Sequence, residues 1–157
     1  MAWNFTTAKD ALVNYLNSAS AATVHAMNPR PTAFDCENPK IEEVFAASLG
    51  GVIGVDDTSF AWTQAATSAN NRAQRGDYAF DLYVSTTGPD RATARDNVRT
   101  IVSAIAEDLI GSGAYLSTDR TQVFAAVPNS WAWASPASDD LVADATMSIT
   151  LTCYHAP

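Results

Sequence analysis

The sequence predicts a single α+β domain in which an N-terminal helix and one long helix pack on a mostly antiparallel sheet of about four to six strands. Two observations carry this prediction. Between Asp77 and Ser85 apolar and polar side chains alternate, which is the period of a half-buried strand. From Arg91 the period becomes helical and persists to Gly111. A helix with one apolar stripe needs a sheet to cover, and the strand before it supplies part of that sheet.

The long predicted helix has a start signal and a stop signal. Asp90 is suited to be its N-cap, and Gly111 is suited to end it. Five apolar residues lie at i, i+3, i+4, i+7 and i+11, namely Val98, Ile101, Val102, Ile105 and Leu109. Burying each side chain contributes roughly 1.5–3 kcal/mol, so the stripe contributes on the order of 10 kcal/mol before entropy is subtracted.

The first third of the chain is less regular. Residues Thr6 to Leu16 have helical spacing and predict a short amphipathic helix. Thr23 to Met27 is interpreted as a brief strand, and the prolines that follow exclude long regular structure before residue 40. Ile41 to Leu49 fits either a helix or a buried strand, and its apolar run of strand length slightly favours the strand.

Two hairpins complete the predicted sheet. A strand from Thr58 to Ala66 pairs with the one from Asp77, and the polar run Ser68 to Gly76 joins them as a protruding loop. Gln122 to Val127 begins another strand, which Pro128 breaks or bulges. Trp131 and Trp133 then share a strand face, and a turn lies at residues 135–140. The closing strand alternates most cleanly and is expected at or near the centre, with Ala145, Met147, Ile149, Leu151 and Cys153 on one face.

Composition restricts the function. The 157-residue chain has 17 acidic and 9 basic residues, a formal net charge of −8, which argues against affinity based on neutralising phosphates. We find no apolar run of membrane-spanning length and no secretory signal, so we expect a protein made in a cytosol. Charged residues make up only 17% of the chain, which suggests that partners cover part of the surface.

No residue pattern indicates catalysis, a cofactor or a metal. The adjacent acids at 42–43, 56–57 and 139–140 would point to opposite faces of a strand, so solvated turns explain them better. His25 is expected to be structural, and Cys153 with His155 forms at most a two-ligand fragment. Cys36 and Cys153 are expected to be buried free thiols. The tryptophans could stack on sugars or bases, but a core or subunit-interface role is commoner.

The element order resembles that of the tail terminator proteins of long-tailed bacteriophages, especially phages of actinobacteria. The likeness covers about Phe60 to His155. It is carried by FAWTQAATSANNRAQRGDYAFDLYVSTTGPDRATARDNVRTIVSAIAEDLIGSG, which gives an aromatic strand, an Arg-containing loop, a Thr-Thr-Gly turn and an Ala- and Arg-rich helix, and by the closing strand ATMSITLTCYHA. Residues 28–54, with three prolines, depart from that family's short first strand.

The resemblance implies a structural virion protein without catalytic residues. It would form a hexameric ring that caps the tail tube, stops its growth and joins it to the head-completion protein, and DNA would pass through without specific binding. The alternatives are another tail or neck ring protein (tube or head-closure), a small hydrolase, or a carbohydrate-binding module. The expected interface residues are Asn70, Asn71, Arg72, Arg75, Trp131 and Trp133, and the expected residues of the bore are Asp77 and Asp81.

Overall fold

The computed structural model describes residues 5–37, 50–64, 74–111, 123–134 and 142–155. Within these ranges the elements are α1 (Phe5–Leu16), α2 (Ala22–His25), β1 (Thr32–Asp35), β2 (Val52–Gln64), β3 (Gln74–Thr87), α3 (Arg91–Gly111), β4 (Val123–Trp133) and β5 (Val142–His155). The strands form one five-stranded sheet in the order β1-β2-β3-β5-β4. Only β1 and β2 pair in parallel, and the other three pairs are antiparallel. The predicted fold class, a mostly antiparallel sheet with an N-terminal helix and one long helix, is confirmed.

Both longer helices pack on the same face of the sheet. Helix α1 contacts β1 and β2, whereas α3 contacts β3, β5 and β4. All five residues of the predicted α3 stripe are buried. They meet the alternating residues of the two central strands, which are Tyr78, Phe80, Leu82 and Val84 from β3 and Ala145, Met147, Ile149, Leu151 and Cys153 from β5. The apolar faces of β3 and β5 and the apolar stripe of α3 therefore pack together in one core.

The ends of the predicted elements agree with the sequence signals. The Asp90 carboxylate accepts the backbone N–H of Thr93 at 2.8 Å, which caps the first turn of α3. This hydrogen bond lowers the pKa of Asp90 below its usual value. In β4 the pairing with β5 shifts register between Pro128 and Ser130, so the proline does produce a bulge.

Two predictions about local structure are wrong. The expected brief strand at Thr23–Met27 is a single helical turn, α2, because the Asp108 carboxylate accepts the N–H groups of Thr23 and Val24. The polar loop does not extend to Gly76, because β3 already begins at Gln74 and pairs there with both β2 and β5. Hydrogen-bonding strands on both sides hold this polar segment extended. The alternatives for residues 41–49 and the turn at 135–140 lie outside the described residues.

Candidate interaction face

The sheet has a second face on which no helix of the described residues packs, here called the open face. Its side chains alternate with those of the core along β2, β3 and β5. Along β3 and β5 they are mostly hydroxyls and carboxylates, whereas Val52 at the β1 end of this face is buried. The charged members are Asp56, Arg75, Asp77, Asp81 and Asp144. A broad polar sheet face of this kind is suited to contact water or a charged polymer rather than an apolar partner.

Asp77 is held in place by two neighbours on the open face. One carboxylate oxygen accepts the Thr152 hydroxyl at 2.9 Å across the β3–β5 pair. Arg75, two residues earlier on β3, donates to both carboxylate oxygens at 3.1 and 3.2 Å. Among the described residues Arg75 is the only base on this face, and its charge is compensated by Asp77.

Asp81 lies farther along β3 beside a second carboxylate. Its oxygen accepts the Ser148 hydroxyl at 3.1 Å. Asp56 of β2 is its direct partner in the β2–β3 register. Burial, together with the Asp81 and Asp56 carboxylates, raises the pKa of Tyr83 on the same face. This end of the open face therefore carries uncompensated negative charge, since neither carboxylate has a described basic partner.

The two acids expected to line a bore thus share the open face. They are four residues apart on one strand, which places them about 13 Å from each other. The expected interface residues do not all come together. Arg75 lies on the open face of β3 rather than in a loop, and Asn70, Asn71 and Arg72 lie outside the described residues.

Trp131 and Trp133 lie on the helix-covered face at the β4 edge. Their rings make an edge contact with centroids 5.2 Å apart. The Arg95 guanidinium sits 4.0 Å from the centre of the Trp133 ring, and Arg99 sits 5.4 Å from it. The arginines of α3 therefore cover Trp133, whereas Trp131 remains 41% exposed at the sheet edge. Of the two tryptophans, only Trp131 offers a large free surface to a partner.

A second exposed aromatic group lies on the β2–β3 hairpin. Trp62 is 63% exposed and makes an edge contact with Phe60, which in turn packs on Tyr78. This patch is separated from Trp131 by the width of the sheet, since β2 and β4 are not neighbours. Among the described residues, Trp62 and Trp131 thus mark two separate aromatic surfaces, and Tyr83 on the open face is exposed as well.

Sequence reasoning missed a charged cluster at the β1 end of the sheet. Lys9 is only 5% exposed, and its ammonium group contacts Asp35 at 3.2 Å, Glu37 at 3.0 Å and Asp57 at 3.7 Å. Burial alone would lower the pKa of Lys9, but the hydrogen bonds to Glu37 and Asp35 raise it above its ordinary value. The signal in the sequence is a lysine beside Ala8 and Leu12 on the apolar side of α1, a position that requires a buried anion.

The catalytic candidates remain dispersed. Asp56 and Asp57 do point to opposite faces, since Asp57 contacts Lys9 while Asp56 pairs with Asp81. The acid pairs at 42–43 and 139–140 lie outside the described residues. His25 is exposed and accepts a hydrogen bond from Arg30. Within the described ranges no three His, Cys, Asp or Glu residues are grouped to hold a metal ion.

Neither Cys36 nor Cys153 forms a disulfide, and the two residues lie on opposite sides of the sheet. Cys153 is buried in the core as expected, but the expected burial of Cys36 is wrong, since this residue is only partly buried. Cys36 lies on the open face against Gly54, where a Cβ atom would come within 2.8 Å of its sulfur. Burial, followed by the Asp56 and Asp35 carboxylates, raises the pKa of Cys36 to about 11. A thiol with a raised pKa is a poor nucleophile at neutral pH.

Comparison of the chain with protein-family models and with curated proteins finds no match. No helix in the described part of the chain has the length and apolar character needed to span a membrane.

Proposed function

We propose that this chain is a structural virion protein, a tail terminator of a long-tailed bacteriophage. In this proposal six copies form a ring that caps the tail tube, stops its polymerisation and joins it to the head-completion protein of the neck. DNA passes through the ring without specific binding. The protein needs no cofactor and performs no catalytic step. It is assembled in the host cytoplasm and remains in the tail of the virion.

The observation that carries the proposal is the open face. A wall past which DNA slides should present carboxylates and hydroxyls rather than unpaired bases, because basic groups would bind phosphate and release counterions. The open face meets this requirement, since the charge of Arg75 is compensated by Asp77 while Asp56 and Asp81 remain without a described basic partner. The resemblance in element order between Phe60 and His155 supplies the specific assignment.

The two aromatic surfaces give further support. Trp62 on the β2–β3 hairpin and Trp131 at the β4 edge are both exposed and lie at different places on the sheet. Exposed tryptophans are enriched where proteins meet other proteins. A ring subunit that contacts two neighbours, a tube and a neck protein needs contact surfaces on several sides.

The first test is the mass of the purified full-length chain in solution, with negative-stain images of the same sample and of a mixture with its tail tube protein. We expect a closed ring, alone or on the tube end. A chain that stays monomeric at high concentration and in the presence of the tube contradicts the proposal.

A second measurement separates a terminator from a tube or head-closure protein. The chain is added to tube protein during polymerisation, and tube lengths are measured by electron microscopy. A terminator shortens the tubes in proportion to its concentration and is found at one end. Incorporation of the chain along the whole tube would identify a tube protein instead. An unrelated acidic protein of similar size is the control for nonspecific effects on tube length.

A further inference from the structure

The arginines of α3 are concentrated on its N-terminal half. Arg91, Arg95 and Arg99 follow one another at four-residue intervals, so they form a stripe along one side of the helix. Asp96 is the one acid among them and pairs with Arg99 at 2.6 Å. Both members of that pair are more than half exposed, so the pair is weak and Arg99 can exchange Asp96 for another carboxylate. Three arginines against two acids, Asp90 and Asp96, leave residues 90–99 with a net charge of +1 in a chain whose net charge is −8.

A groove runs beside this stripe, between α3 and the edge strand β4. Its volume is about 450 Å³, and its wall combines apolar and polar groups. The residues that matter for recognition are Arg99 on one side, Pro128 and Trp131 on the other, and Met147 and Val102 below. An aromatic group and an arginine at an open groove are the residue types that anchor protein partners.

The opposite edge of the sheet has the complementary charge. At β1 the acids Asp35, Glu37 and Asp57 surround a single ammonium group, that of Lys9, and Asp10 is exposed next to it on α1. The Glu37 side chain is 70% exposed. Since β1 and β4 are the two outer strands, the acidic end and the basic groove lie at opposite edges, about 19 Å apart across four strand spacings.

The backbone of β1 favours a contact through side chains over strand pairing. The Asn17 side chain donates to the Ala33 carbonyl and accepts the Ala33 N–H, both at 2.8 Å. Asn17 therefore occupies backbone groups with which another strand would pair. Asp10 is exposed on α1, and Glu37, although it pairs with Lys9, keeps 70% of its side chain exposed.

We propose that the groove between α3 and β4 receives the acidic β1 end of a second copy of this chain. The contact is heterologous, since two different surfaces meet, and such contacts close into a ring when the rotation between copies fits. The inference rests on the ring proposed above and assigns its subunit contact. Arg91 and Arg99 pair with the acids of the next copy, and Trp131 packs at the edge of that contact.

The experiment uses two charge-reversal variants of the full chain. The groove variant carries Arg91→Glu and Arg99→Glu, and the end variant carries Asp10→Lys and Glu37→Lys. Each variant alone juxtaposes like charges at the contact, so we expect its association constant to fall on the order of 100-fold. Mixing the two variants restores opposite charges at every contact, so we expect mixed rings to form. Sedimentation velocity measures the assemblies, and rising salt should weaken them.

Asp144→Lys is the control, because it reverses an exposed charge on the open face, which belongs to neither the groove nor the β1 end. Circular dichroism and thermal unfolding establish that each variant is folded. If the folded variants form rings as well as the wild type does, or if mixing restores nothing, this contact is wrong while the ring itself stands. A wild-type chain that stays monomeric both alone and with its tube overturns the contact and the proposed function together. An acidic segment of another protein that binds the groove of a monomeric chain would likewise overturn the self-contact.

Discussion

At the residue scale, Asp108 shows how one buried carboxylate organises the N-terminal third of the chain. It lies on the buried side of α3, and its two oxygens accept the N–H groups of Thr23 and Val24 at 2.8 and 2.9 Å. The backbone carbonyl of the same residue accepts the Tyr15 hydroxyl at 3.1 Å. Asp108 thus fixes α1 and α2 to the long helix, and it explains why α2 is helical.

We expect Asp108→Ala to destabilise the fold by about 2–4 kcal/mol, because two backbone donors would lose a charged acceptor and one of them is buried. Asp108→Asn retains one acceptor oxygen and should cost less. The measurement is urea unfolding of both variants beside the wild type. Equal stability of Asp108→Ala and the wild type would show that water replaces the carboxylate without cost. Glu107→Ala, at an exposed neighbouring position of α3, controls for loss of negative charge from the helix.

At the scale of elements, the sequence predicted the helices and strands that have a clear local period. It did not predict structure that depends on contacts with distant residues. The apolar stripe of α3 and the alternation in β3 and β5 are local patterns, and the structure confirms them. The helical turn α2 depends on Asp108, which is more than 80 residues away. The sequence does contain a sign of this contact, because Asp108 lies three residues after Ile105, on the buried side of the helix, where an apolar residue is expected.

For the candidate surfaces, too, the sequence predicted local features and did not predict contacts between elements. Alternation along β3 placed Asp77 and Asp81 on the face opposite the core, as the structure shows. Alternation also placed Trp131 and Trp133 on one face. It did not reveal that Arg95 and Arg99 cover Trp133, because that contact joins residues more than 30 positions apart in the sequence. The local period of apolar residues does not show which distant elements contact each other.

A substitution in the buried stripe tests the packing of α3. Ile105 has no exposed surface, so Ile105→Asp places a carboxylate in the core without a partner, at a cost of several kcal/mol that is comparable with the stability of a whole domain. We expect the variant to be largely unfolded or insoluble. Ser103→Asp introduces the same charge at an exposed position of the same helix and should leave folding almost unchanged. Circular dichroism and thermal unfolding compare the two, and a folded Ile105→Asp variant would contradict the assigned core.

At the scale of the whole molecule, the described residues place charge on three surfaces. The open face and the β1 end carry acids, and the α3 stripe beside the groove carries Arg91, Arg95 and Arg99. In the proposed contact the two edge surfaces of neighbouring copies attract each other, and the open face lies between those edges. In a ring closed through the edges, the open faces of all copies can therefore line one continuous wall. That arrangement connects the proposed subunit contact with the proposed passage of DNA.

The last prediction concerns that wall. Changing both Asp77 and Asp81 to Lys reverses two charges per copy on the open face. In the proposed ring of six copies, twelve lysines would then face the bore. Lysines in a narrow passage bind phosphate and release counterions, so we expect DNA ejection from particles carrying the variant to slow markedly and to recover as salt increases. Glu107→Lys adds positive charge on the helix-covered side and should leave ejection unchanged. Because Asp77 also holds Thr152, thermal unfolding must first show that the double variant is folded. If particles whose variant rings have the normal size eject DNA at the wild-type rate at every salt concentration, the open face does not line the bore.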